Sequence, residues 1–343
     1  MRTDISLEFK VEFLRRPEHY PPPASPVDDV ETHLSWVFLN DHHAYKLKKP
    51  LRFGRLDFRT LPQRLHFCRE ELRLNRRLAE DVYLDVVPLG WDAEGGLRLE
   101  TGVAHAVDWL VKMRRLPAYK MLDHALVHGL ASEDDIERVA DRLLHFYRGS
   151  PGVAVSPAVY LNEFRRGIGC NERVLRRPQY DLPQDRVHDL CAMQRATLAY
   201  HADWIRERAA QGKVLEGHGD LRPEHVCLED QVSIIDCLEF SRELRLIDPA
   251  DEIAYLALEM ECLGGARLAH ALLDRFRAET DNWPEPDLLH FYQAYRALTR
   301  ARIAILHLED PRYRATPHWQ RRALDYLASA ERHQYAIRMP ASR

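Results

Sequence analysis

Two periodicities run along the chain, and they exchange near residue 113. "LSWVFLN", the turn "DHH" and "AYKLK" alternate as two strands of a hairpin. "TLPQRLHFCREELRLNRRLAED" follows, with Leu65, Cys68, Leu72, Leu78 and Ala79 at helical spacing. Thr60 suits its N-cap, and Pro62 its first turn. "VYLDVVPLGWDAEGGLRLE" predicts two strands around a Gly-Gly turn, and "AVDWLVKM" a fifth. Before these, the Pro cluster "YPPPASPVDD" makes residues 1–30 read as loop. Beyond Met113 the pattern is helical: 133–149, 157–175, 183–211, 248–264, 264–280, 286–308 and 317–336. Short strands around residues 218–240 interrupt it. The expectation is an α+β fold, with a small five-stranded lobe carrying one helix (1–112) and a larger helical lobe (113–343).

Composition narrows the classes of function. The 343 residues are 45% hydrophobic and 30% charged, with net charge −4, as in an ordinary globular protein. Nothing in that balance draws nucleic acid or an anionic membrane. The N-terminal run "MRTDISLEFKVEFL" contains charges, so it does not read as a signal peptide. No uncharged apolar stretch is long enough for a membrane span. The six cysteines are scattered and form no C-x-x-C pair. Reduced, mostly buried thiols in a cytoplasm are the expectation.

Residues 218–240, "HGDLRPEHVCLEDQVSIIDCLEF", carry the chemistry. The protein-kinase catalytic loop H-R-D-L-x-x-x-N places an Asp as base and an Asn on metal. Here His218, Asp220 and Leu221 match, and His225 stands where that Asn would. Asp236 closes the next strand, sixteen residues after Asp220. Phosphoryl transfer needs a positioned base for the acceptor hydroxyl and a metal for the β and γ phosphates. One Asp beside a strand and another after the next can supply both, with Pro223 stiffening the loop.

The chain resembles the aminoglycoside phosphotransferase and choline kinase-like family, whose loop reads H-G-D-x-x-x-x-N. More closely it resembles a bacterial branch carrying "ETHLSWVFL", "AYKLKKP", "FCREELRLNRRL", "HGDLRPEH" and "DPADEIAYL" in this order. The resemblance implies a bilobal protein-kinase-like fold with ATP and Mg²⁺, or Mn²⁺, between the lobes. It implies Lys46 on the α and β phosphates, Glu71 paired with that lysine, and Asp220 as catalytic base. His225 and Asp236 would take the metal positions, and Val111 to Met113 the hinge beside adenine. Members of the branch are often fused to a P-loop kinase domain. This chain has no G-x-x-x-x-G-K-[ST], so the expectation is that a P-loop kinase, where present, is a separate partner.

Several alternatives stay open at the level of residues. Lys48 lies on the same strand face as Lys46, and Glu70 adjoins Glu71. His225 could hold a metal, touch phosphate, or mark lost turnover; the last reading makes the chain a nucleotide-binding regulatory module. "ETHLSW" would be the phosphate-covering loop, with Thr32, His33 and Ser35 as polar contacts. Asp248 or Asp251 reads as a helix cap or a buttress of the catalytic loop. Arg296 and Arg300, with Arg302, read as a solvated basic face, or else as an anion-binding one. Zinc on His218, His225, Cys227 and Cys237 is a rival, but the spacing H-x₆-H-x-C-x₉-C is unlike structural zinc sites. A protein substrate is disfavoured because eleven residues separate Asp236 from Asp248, too few for an activation segment. Neither the acceptor nor the oligomeric state is legible.

Overall fold

The computed structural model describes residues 5–20, 26–53, 56–314 and 316–338. Half of the expected Pro-rich loop, residues 21–25, lies outside the described residues. The chain divides into two compact units: Met1–Met121 with His225–Arg242, and Leu122–Glu224 with Glu243–Arg343.

The first unit opens with α1 (Leu7–Leu14), capped by the Ser6 hydroxyl on the Phe9 N–H. Loop was expected here; Val11, Phe13 and Leu14 make it a helix by burying one side against the sheet. There follow β1 (Asp28–Glu31), β2 (Ser35–Leu39), β3 (His43–Lys48), and the short pair β4 (Arg52–Phe53) and β5 (Leu56–Asp57). Next come α2 (Leu61–Asn75), β6 (Tyr83–Trp91), β7 (Leu97–Leu99) and β8 (His105–Arg114). The antiparallel sheet has six strands in the order β1-β2-β3-β8-β6-β7, where five were expected. The addition is β1, whose Asp-Asp-Val-Glu lacks apolar alternation; its ladder to β2 makes the strand. Thr60 caps α2 as expected, yet the helix stops at Asn75, so Leu78 and Ala79 are buried beyond its end.

Both sheet faces are covered, which explains why β3 reads as nearly continuous burial. Tyr45 and Leu47 pack with Phe38 and the α1 side chains. Ala44, Val111 and Met113 lie on the opposite face with Cys68 of α2. Alternation along β3 puts Lys46 and Lys48 on that second face. Buried Asp108 accepts from Lys10 of α1 at 2.8 Å and from Arg64 of α2 at 2.7 Å, tying both helices to β8.

In the second unit, α3 (Leu122–Val127), α4 (Glu133–Gly149) and α5 (Pro157–Leu175) come first, the last two with the bounds their periodicity predicts. The expected single helix over 183–211 breaks at His201 into α6 (Gln184–Tyr200) and α7 (Ala202–Ala210). β9 (Leu215–Glu216) leads into the segment that carries His218 and Asp220. The hairpin β10 (Val226–Cys227) and β11 (Ser233–Ile234) belongs to the first unit. After α8 (Arg242–Arg245) and β12 (Leu246–Ile247) the second unit continues with α9 (Pro249–Cys262), α10 (Ala266–Glu279), α11 (Pro286–Leu306) and α12 (Pro317–Ala336). Every residue of α9 from Ala250 to Met260 is buried, among α10, α11 and α12. No described helix is long and apolar enough to cross a membrane.

Candidate active site

In the first unit, five charged side chains converge. Lys46 Nζ lies 2.8 Å from Glu71 Oε1 and donates to Asp236 Oδ1 at 2.8 Å. Lys48 Nζ, also on β3, donates to the other Glu71 oxygen and to Glu239 Oε1, each at 2.5 Å. Burial works against the Lys46 charge, but Asp236, Glu71 and Glu239 outweigh it and hold the ammonium well above its ordinary pKa. Glu71 is likewise penalised by burial, yet the two lysines keep its carboxyl below the usual range. Glu70 instead pairs with Arg73 at the surface. Both lysines thus reach Glu71, and Lys46 alone of the two also reaches Asp236.

Asp236 lies two residues past β11 with φ +60°, a left-handed conformation that Asp tolerates better than most residues. Tyr83 and Asn75 fix that turn, their oxygens accepting from the N–H groups of Asp236 and Cys237. His225 Nε2 stands 3.5 Å from Asp236 Oδ2, and the His225 carbonyl accepts from Ile235 N–H across the hairpin. The pair offers one imidazole nitrogen and one carboxylate. Magnesium takes few protein ligands and completes its shell with phosphate and water oxygens, while imidazole suits manganese better. The two residues fit a divalent ion carried mainly by a nucleotide.

Val111 and Met113 are placed by the β8 ladder opposite Lys46 and Ala44 of β3. They sit in a small apolar cluster bordered by partly exposed Val37, Leu39, Leu116 and Ile235. In the turn between β1 and β2, the Thr32 hydroxyl bonds back to Ser35, and Ser35 is buried. Lys49 Nζ donates to Glu31 and to the Thr32 carbonyl, pinning the same turn.

In the second unit, Asp220 accepts from the Tyr255 hydroxyl at 3.0 Å and from Arg222 at 3.0 Å. Arg222 also pairs with Glu224. Burial opposes the Arg222 charge, but the Asp220 carboxylate carries its pKa above the ordinary value. Buried His218 turns Nδ1 toward the Asp220 N–H, holding the loop. Gly219 has φ +87° there, a conformation that only glycine adopts freely. Glu252 of α9 accepts from the His218 and Gly219 N–H groups and from the Tyr147 hydroxyl. A Cβ at Gly217 would come within 2.6 Å of Glu252, so this approach depends on glycine as well.

Glu252 and Tyr255 were missed in the sequence, although both stand in "DPADEIAYL". Asp248 does cap α9, accepting from Ala250 N–H at 3.0 Å, and also takes Arg208 through two bonds of 2.6 Å. The solvated basic face is overturned: Arg296 pairs with Asp251 and Arg300 with Glu259, both largely buried. Arg302 contacts Cys170. No group of three or more His, Cys, Asp or Glu placed to hold a metal occurs among the described residues, which removes the zinc reading. All six cysteines are free, and burial pushes the Cys227 thiol up to about 11. Cys68, Cys191, Cys227 and Cys237 are buried, in keeping with mostly buried thiols, while Cys170 is partly buried and Cys262 exposed.

No family model matches the chain. Over 280 residues it is 30% identical to uncharacterised proteins of Mycobacterium tuberculosis and Mycobacterium bovis. The match covers 81% of this chain and 54% of each relative, so the chain spans about half the length of the curated relatives it matches. A choline/ethanolamine kinase family protein from Mesorhizobium loti superposes with TM-score 0.54 at 14% identity, covering 96% of this chain and 99% of that one. Choline kinase from Cryptosporidium parvum gives 0.56 at 8% identity, covering 96% of each. The GDP and kanamycin complex of APH(2")-IIia gives 0.56 at 14% identity, covering 95% and 99%. The fold is that of the choline kinases and aminoglycoside phosphotransferases, as the motifs led one to expect.

Proposed function

Starting from the fold of small-molecule kinases, we propose that the chain is an ATP-dependent phosphotransferase acting on a hydroxyl of a small molecule. The observation that carries this reading is the Lys46–Glu71–Asp236 constellation, with His225 beside Asp236. Lys46 would hold the α and β phosphates and Glu71 would orient it, with Lys48 and Glu239 clamping Glu71 from the other side. His225 and Asp236 would bind Mg²⁺ or Mn²⁺, which supplies charge neutralisation at the β and γ phosphates when bound. The apolar surface around Val111 and Met113 would take the adenine.

Asp220 would accept the acceptor's hydroxyl proton. Tyr255 and Arg222 stabilise its ionised form, and Glu252 fixes its loop from α9. The relatives extend well beyond the matched region, so a P-loop kinase partner belongs to this proposal. So does a cytoplasmic setting, where ATP and reduced thiols coexist.

Calorimetry of ATP binding with Mg²⁺ and then Mn²⁺ tests the reading, on wild type and on Asp236→Asn. Asn is chosen because it tolerates the left-handed backbone at this position. Metal-dependent binding that disappears in the variant is the expected result. Equal binding in both would remove Asp236 from the metal site. Binding without ATP consumption across acceptors would favour the regulatory module, for which His225 in place of Asn is the motivating residue.

A further inference from the structure

Within the second unit, α9 and α11 meet through a ladder of charges. Asp251, Tyr255 and Glu259 stand four residues apart on α9, hence on one face. Arg296 and Arg300 do the same on α11. Asp251 takes Arg296 through two bonds of 2.8 and 2.6 Å, and Glu259 takes Arg300 Nε at 2.9 Å. Between these rungs, Tyr255 donates to Asp220. Asp220 and Arg222 are both near enough for electrostatic interaction with Arg300.

The rungs differ in how their arginines are used. Arg296 spends Nε and one terminal nitrogen on Asp251 and lies over the Tyr255 ring at 5.3 Å. Arg300 spends Nε alone, on Glu259 and on the Tyr326 hydroxyl at 3.4 Å. Its two terminal nitrogens have no hydrogen-bond partner among the described residues, although the side chain is only 11% exposed. Arg322 of α12 approaches the same place, 3.3 Å from the Tyr326 hydroxyl and 4.0 Å from Glu259. Two guanidiniums therefore share one carboxylate, and the one with unspent donors is the more buried. A guanidinium with free terminal nitrogens matches the paired oxygens of carboxylate or phosphate.

We propose that the acceptor is an alcohol bearing an oxyanion, carboxylate or phosphate, and that Arg300 with Arg322 binds that group. A cationic alcohol would set its charge against theirs. The identification of this ligand as the acceptor rests on the phosphotransferase reading; its binding to Arg300 does not.

The test is calorimetry of the full chain with four hexoses that differ in one substituent: glucuronate, glucose 6-phosphate, glucose and glucosamine. At least one anion should bind about tenfold or more tightly than glucose, with glucosamine weakest. Arg300→Gln should abolish that preference, Arg322→Gln should reduce it, and Arg300→Lys should keep only part of it. Glucuronate against glucose 6-phosphate tells carboxylate from phosphate. If Arg300→Gln does not fold, Arg322→Gln and the wild-type order of ligands decide. Glucosamine binding best, no anion binding, or a preference that survives every folded variant would overturn the proposal. ATP binding is measured in parallel. ATP binding without anion binding sinks this inference alone, and Arg300-dependent anion binding without ATP sinks the kinase reading alone.

Discussion

Lysine is seldom buried without partners, and Lys48 has two carboxylates at 2.5 Å. Lys48→Met would strand Glu239 and halve the charge facing Glu71. A loss of roughly 3–5 kcal/mol in urea unfolding is expected, with ATP affinity falling only as far as folding does. Lys46→Met leaves Glu71 paired with Lys48, so it should cost less stability and more ATP affinity. The two variants measured side by side decide which lysine serves the nucleotide. Asp220→Asn should lower kcat by about 10²–10⁴-fold while nucleotide binding stays within twofold, as loss of a general base does. His218, Asp220 and Asp236 stand out in the sequence because the motif that carries them is one continuous stretch, residues 218–240. Lys48 was ambiguous and Glu252 invisible because their partners lie far along the chain, Glu239 for one and His218 for the other.

Among the elements, α4 and α5 were legible to the residue because each buries one face and exposes the other. α9 is buried all round, so periodicity says nothing of the roles of Asp251, Glu252 and Glu259. Their partners on α11 and at His218 and Gly219 give those acids their meaning. β1 was missed for the opposite reason, being an acidic edge strand held by backbone pairing. The α11–α12 contact carries a pH dependence. His290 Nδ1 lies 3.1 Å from His333 Nδ1, while His333 Nε2 lies 3.1 Å from Glu261, which also accepts from Gln293. Burial first, then His333, pushes the His290 pKa below 6.5, and Asp287 and Glu261 oppose this only in part. The unfolded chain therefore binds this proton first as pH falls, so stability present above 6.5 is lost below it. Burial works against ionised Glu261, but His333 holds its pKa below 4.5, adding a second loss at more acid pH. Melting curves from pH 8 down to about 2 should show both steps, the second below about 4.5, and His290→Asn should remove the upper one.

At the scale of the whole molecule, ligand binding should appear as stability. ATP with Mn²⁺ at 100 times its Kd adds about 2.7 kcal/mol, readable as a raised Tm, and Asp236→Asn should erase that gain. The bilobal class was legible because strand and helix periodicities are segregated along the chain. The return of residues 225–242 to the first unit was not, since it is a matter of which partners the hairpin finds. That return has a consequence in time. Synthesis at roughly 5–20 residues per second places residues 122–224 between the start of the first unit and its completion, a delay on the order of ten seconds. A nascent chain ending at residue 121 holds Lys46 and Lys48 with Glu71 as the only one of their three carboxylates. Only when residue 239 emerges can both ammoniums be neutralised, so the first unit to be synthesised waits for part of the second before it can close its own charges.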